Sequence, residues 1–132
     1  MSRSKFATVI NCMDGRTQLQ VNDWLRSRCG VDHVDTITEP GPVCLLAGGN
    51  APAIESIRNR VAISVERHGS RTVAVVAHHD CAGNPKPRTL QVQQLKRSVE
   101  RVRSWQPAVE VVGLWVGRDW QVKQVVASGS PA

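Results

Sequence analysis

Two short stretches of the sequence carry side chains able to work at one centre: Cys12-Met13-Asp14-Gly15-Arg16 and, more than sixty residues later, His78-His79-Asp80-Cys81. Cys12, His78 and Cys81 together offer two thiolates and one imidazole. That donor set suits zinc, which takes sulfur and nitrogen ligands tetrahedrally, and three protein ligands leave a fourth position for water, as in catalytic sites. A lone His78-x-x-Cys81 spacing is weakly specific. Its combination with Cys12 is far more so, provided the fold brings the two stretches together. His79 is the alternative nitrogen ligand, with His79 and Asp80 otherwise expected to be loop residues and His79 a candidate for proton exchange. Two other readings stay open: Cys12 and Cys81 as buried small hydrophobes, or a closed structural zinc completed by Cys29 or Cys44.

Asp14 and Arg16 stand two residues apart, so an extended backbone would turn Cys12, Asp14 and Arg16 to one side. A carboxylate held by Arg16 beside the metal could accept a hydrogen bond from zinc-bound hydroxide and orient it toward substrate. The plainer alternative is a helix cap with a surface ion pair.

These residues need elements that converge. Residues 6–10 form an apolar run of strand length that ends near Cys12, and residues 72–77 form a continuous one that ends at His78, as expected of parallel strands buried on both faces. Val21, Trp24 and Leu25 mark a first helix that stops before Gly30. Residues 33–38 predict a short strand closed by Pro40-Gly41-Pro42, and Ile54, Ile57, Val61 and Val65 trace one face of a helix over residues 51–68. Val92, Leu95, Val99 and Val102 predict a third helix, residues 109–116 a buried strand, and residues 120–126 a last strand after a turn at residues 117–119.

The order predicts an α/β fold: one domain with a mainly parallel sheet of about five strands, helices on both faces and a C-terminal antiparallel hairpin. Residues 1–127 would be that zinc domain and residues 128–132 a flexible tail. In open parallel sheets ligands bind at the carboxyl ends of strands, where neighbouring connections diverge, and both stretches fall there if the first and third strands are neighbours.

The chain has 132 residues, enough for one domain, with 41% hydrophobic and 21% charged residues. Such a composition suits a globular protein better than a disordered or membrane-spanning one. The basic start of the chain runs into a short strand rather than a signal-peptide apolar region, so a cytoplasmic location without a membrane partner is expected, with reduced cysteines. The net charge of +6 is scattered over helix-like segments with no aromatic-basic surface, and no nucleic-acid partner is expected.

Cys12-x-Asp14-x-Arg16 combined with His78-x-x-Cys81 resembles the paired zinc motifs of β-class carbonic anhydrases. The similarity extends through Pro40-Gly41, Ala47-Gly48-Gly49-Asn50, the segment from His68-Gly69 to Cys81, and Gly113-Leu114-Trp115-Val116. It implies zinc on Cys12, His78 and Cys81, an Asp14–Arg16 dyad as catalytic residues, and reversible hydration of carbon dioxide to bicarbonate by a zinc-bound hydroxide. It also implies a homodimer or higher homo-oligomer, and, from some members, a closed state in which Asp14 leaves Arg16 for the metal. The chain departs from the family at Leu46-Ala47-Gly48-Gly49-Asn50, where many members read Arg-Asn-Ala-Gly-Asn, and at Ala82, where a glycine commonly follows the second zinc cysteine. The alternatives to carbon dioxide hydration are hydrolysis of carbonyl sulfide or carbon disulfide, and a non-catalytic zinc-binding protein on the same fold.

Overall fold

Alternating apolar side chains along the central strands decide the architecture of the computed structural model, which describes residues 4–127. The expected tail at residues 128–132 lies outside the described residues. Five strands, β1 (Phe6–Cys12), β2 (His33–Glu39), β3 (Thr72–His78), β4 (Glu110–Val116) and β5 (Val122–Ala127), form one sheet in the order β2-β1-β3-β4-β5. The first four run parallel, and β5 returns antiparallel to β4. The helices are α1 (Gln18–Cys29), α2 (Pro42–Ala47), α3 (Ala51–His68) and α4 (Arg88–Trp105).

Val73, Val75 and Ala77 of β3 pack with Ile57 and Val61 of α3 and Leu95, Val99 and Val102 of α4. Ala74 and Val76, on the opposite face, pack with Val21 and Leu25 of α1. A strand covered on both sides has no polar face, which explains the unbroken apolar run. Each fully buried Val or Leu contributes about 1.5–3 kcal/mol, so these two layers hold the sheet.

The helix that follows β1 covers one face and the helix that follows β3 covers the other, while β1 and β3 lie side by side, with Ile10 opposite Val75. The connections therefore diverge at the carboxyl ends of adjacent strands, and a crevice opens there.

Two elements differ from the expectation. Residues 42–47 form a short helix where the sequence shows only an apolar run, started by Pro42 in the first turn after a left-handed Gly41. Six residues are too few to display a helical period. Trp120 lies in the turn before β5 rather than in the strand, with a φ of +59°; its bulk favours strands by propensity, but the turn geometry prevails. No helix among the described residues is long and apolar enough to cross a membrane.

Candidate metal centre

Parallel pairing delivers Cys12 and His78 to the same edge of the sheet, since each is the last residue of its strand. Cys81 follows across a tight turn in which Asp80 takes a left-handed φ of +57°. The Cys12 and Cys81 sulfurs stand 3.8 Å apart, and the donor atoms of Cys12, His78 and Cys81 all lie within 4.8 Å of one another. All three residues are buried and all four cysteines are free. Cys29 is half-buried, Cys44 is exposed, and neither joins the cluster, nor does His79.

The protonation pattern suits a cation. His78 Nδ1 lies 2.7 Å from the His79 carbonyl, which can only accept, so Nδ1 carries the proton and Nε2 presents a lone pair. That Nε2 is buried without a hydrogen-bond partner. Buried polar atoms rarely stay unpaired, and one aimed at two thiols marks a place where a metal fits.

Without a metal, burial opposes the charged forms of both Cys12 and His78. The proximity of His78, with backbone N–H groups of Gly41 and Asp14, nevertheless pulls the Cys12 thiol down to about 7, and the Cys12 sulfur draws the His78 pKa upward. Burial and the neighbouring Cys12 charge push Cys81 up to about 11, against N–H groups of Gly83 and Asn84. A divalent cation would offset both the cost of burying a Cys81 thiolate and its repulsion by Cys12, the two causes that keep Cys81 protonated without it.

Asp14 and Arg16 sit at the mouth of this cluster. They are placed by a turn, not by the extended backbone that alternation suggests: β1 ends at Cys12 and residues Gly15–Thr17 form a 3-10 turn. Asp14 Oδ1 caps the turn at the Arg16 N–H, 2.9 Å away, while Arg16 Nη2 donates to Oδ2 at 2.7 Å and Nε to Oδ1 at 3.1 Å. The cap and the ion pair are thus the same residue pair. The guanidinium hydrogen bonds hold the Asp14 carboxyl down at about 2, and its Oδ2 stands 4.0 Å from His78 Nε2. An ionised acceptor is therefore fixed beside the donors.

The family model described as "Putative carbonic anhydrase" matches residues 2–126. The chain belongs to this carbonic anhydrase family. Its fold matches that of β-carbonic anhydrases: isoform I from Trichomonas vaginalis aligns at a TM-score of 0.65 and 15% identity, covering 98% of this chain and 87% of that one. A β-carbonic anhydrase from Aspergillus fumigatus aligns at 0.61 and 12%, over 96% and 77% of the two chains, and one of two tetrameric enzymes from Sordaria macrospora at 0.60 and 10%, over 94% and 82%. No curated protein sequence matches the chain.

Against the family pattern, Ala82 leaves the close approach to the next residue. A Cβ on Gly83 would meet the Pro40 carbonyl carbon at 2.6 Å, and one on Gly41, whose φ is +61°, would meet the Gly83 carbonyl carbon at 2.8 Å. Only glycine at both positions lets the Pro40-Gly41 segment touch the Cys81 loop.

Several residues that hold the site lie outside the spaced motifs or, like Asp80, read there only as loop. Gln91 is buried in α4 and donates from Nε2 to the carbonyls of His78 and Lys86, both at 3.0 Å, tying down each end of the loop that carries Cys81. Gln18 Nε2 donates to the Cys12 carbonyl at 2.7 Å. Asp80 and Trp120 both contact Arg16. Only Gln91, a polar residue one position from the apolar stripe of its helix, could have been suspected. A cavity of about 310 Å³ reaches Cys81 and is lined by His79, Lys86, Arg88 and Trp115. A larger one, about 650 Å³ between α1 and the start of β5, touches none of the three donors.

Proposed function

We propose that the protein is a zinc-dependent carbonic anhydrase that reversibly hydrates carbon dioxide to bicarbonate. Membership of the family supports the reaction class, and one observation carries the site: the unpartnered Nε2 of His78, buried between two thiols beside an ionised Asp14. Cys12, His78 and Cys81 would hold the metal. Two thiolates each about 2.3 Å from a tetrahedral zinc lie about 3.8 Å from one another, and the two sulfurs here are 3.8 Å apart. Zinc bound there supplies a Lewis acid that makes water nucleophilic near neutral pH.

The chain's own residues do the rest. Asp14 would accept a hydrogen bond from the attacking oxygen and orient its lone pair toward the substrate carbon, while Arg16 keeps that carboxylate charged and aimed. Burial of the thiolates and the His78 ring keeps bulk water from competing.

We also infer a homodimer or larger homo-oligomer, in line with the tetrameric β-carbonic anhydrases of Sordaria macrospora that share the fold. The free cysteines accord with a reducing, cytoplasmic setting.

Metal analysis with stopped-flow carbon dioxide hydration tests the function. The purified protein is expected to hold about one zinc per chain and to be active, and Asp14→Asn to keep its zinc while losing roughly 10²-fold in turnover. Zinc-loaded protein without hydration activity would overturn the assignment, and light scattering that shows a fully active monomer would overturn the oligomer.

A further inference from the structure

Among the described residues, only two that are not glycine have left-handed backbone, Asp80 at +57° and Trp120 at +59°. Aspartate tolerates that conformation, whereas for a bulky aromatic it is an outlier that persists only when its surroundings impose it. Both residues act on the same side chain. Arg16 Nη1 donates to Asp80 Oδ2 at 3.3 Å, Nη2 donates to the Asp80 carbonyl at 3.1 Å, and the guanidinium carbon stands 4.4 Å from the centre of the Trp120 ring. With Nε and the other Nη2 proton directed at Asp14, the guanidinium is held on two edges and one face.

Each side of this clamp has its own anchor. Asp80 lies between His78 and Cys81, so its position is that of the metal-ligand loop. Trp120 donates its backbone N–H to the Gly117 carbonyl at 2.9 Å and accepts at its own backbone carbonyl from Gln20 Nε2 at 3.1 Å, and its side chain packs on the cluster that contains Val116. Arg16 is otherwise a long side chain, half exposed, and a surface ion pair to Asp14 alone would be loosely held.

We propose that Asp80 and Trp120 are positioning residues that lock Arg16 in place and, through it, keep Asp14 off the metal, so that the fourth coordination position stays free. The inference rests on the zinc reading of the site. The chemistry is a competition: the Asp14 carboxylate has a guanidinium on one side and the metal position on the other, and the partner that is better fixed keeps it. The strained Trp120 backbone is what places a flat ring under the guanidinium, where cation–π attraction adds to the hydrogen bonds of Asp80.

The test uses cobalt-substituted and metal-free protein with three variants. Trp120→Asn removes the ring but tolerates left-handed backbone, Trp120→Phe keeps a ring, and Asp80→Gly keeps the turn while removing the carboxylate. In the cobalt protein, azide should shift the visible spectrum of the parent and of Trp120→Phe at similar concentrations. In Trp120→Asn the azide dissociation constant should rise roughly tenfold or more, because Asp14 must first be displaced, and Asp80→Gly should move the same way. In metal-free protein, NMR should show the Arg16 Nε–H shifted upfield by the ring in the parent and at an ordinary position in Trp120→Asn. Since Trp120 also packs on the core, Asp80→Gly decides the matter if Trp120→Asn does not fold. Unchanged azide binding in the folded variants, or an Arg16 resonance indifferent to the ring, would overturn the clamp. A parent that takes up no cobalt would instead defeat the metal reading, while the metal-free NMR comparison would still report on the clamp itself.

Discussion

At the amino ends of the strands, a polar cluster is complete in itself. The Thr8 hydroxyl donates to Ser64 Oγ at 2.6 Å, Ser64 donates to Asp35 Oδ2 at 2.7 Å, Ser70 shares a 2.8 Å hydrogen bond with Ser64, and His68 Nδ1 lies 2.6 Å from Asp35. At the carboxyl ends, the cluster of Cys12, His78 and Cys81 is incomplete, with the lone pair of His78 Nε2 unspent and two thiols facing each other. Both clusters lie against the same sheet, the first with Thr8, Ser64 and Ser70 buried and Asp35 and His68 reaching the surface, the second buried throughout. The difference is that the first satisfies its members with protein alone, whereas the second leaves donors grouped as a metal ion could use them. Completeness marks structural polarity, and a directed deficit marks a site.

The largest effect that would sharpen this contrast is expected from Cys81→Ser. Zinc affinity should fall by more than the roughly 10–100-fold typical of losing an outer partner, as measured by competition with a chelator, and activity should vanish. Gln91→Ala comes next. It leaves the His78 and Lys86 carbonyls unmet, and zinc affinity should drop by roughly tenfold while the protein remains folded in circular dichroism; unchanged affinity would mean that the loop is rigid without it.

The amino-end cluster should answer in stability alone. Ser64→Ala takes their shared partner from Thr8 and Ser70 and leaves Asp35 with His68 alone, and denaturant unfolding should show a loss of about 1–3 kcal/mol, with zinc content and turnover per zinc unchanged. If turnover fell as well, the two ends would not be independent.

The smallest effect concerns Arg28 and Glu110, at the same end, paired at 2.8 Å with both side chains about a third exposed. The Arg28 hydrogen bonds hold the Glu110 carboxyl below its ordinary 4.5. A depressed folded pKa contributes stability that is present above the unfolded value and lost as pH falls through the folded one. The parent should therefore exceed Glu110→Gln by less than about 1 kcal/mol at pH 7, with the gap closing below pH 4.5. A gap that widened in acid would reverse the assignment.

The sequence by itself determined which residues could serve as ligands and which strands carry them. Thiol and imidazole chemistry belongs to the side chain, and a strand buried on both faces must be apolar along its whole length, so Cys12 and His78 were legible as strand ends. The helix over residues 51–68 was legible for a similar reason, since its apolar positions recur every turn. What the tertiary structure alone decided is how the mouth of the site is held. Gln91 reaches the ligand loop from a helix, Gly83 accommodates Pro40 because two loops meet there, and Trp120 lies under Arg16 from a turn a hundred positions away. None of these follows from a period or a spacing, because each depends on how loops that the sheet brings together pack against one another, and local propensity, which favoured a strand for Trp120, pointed the other way.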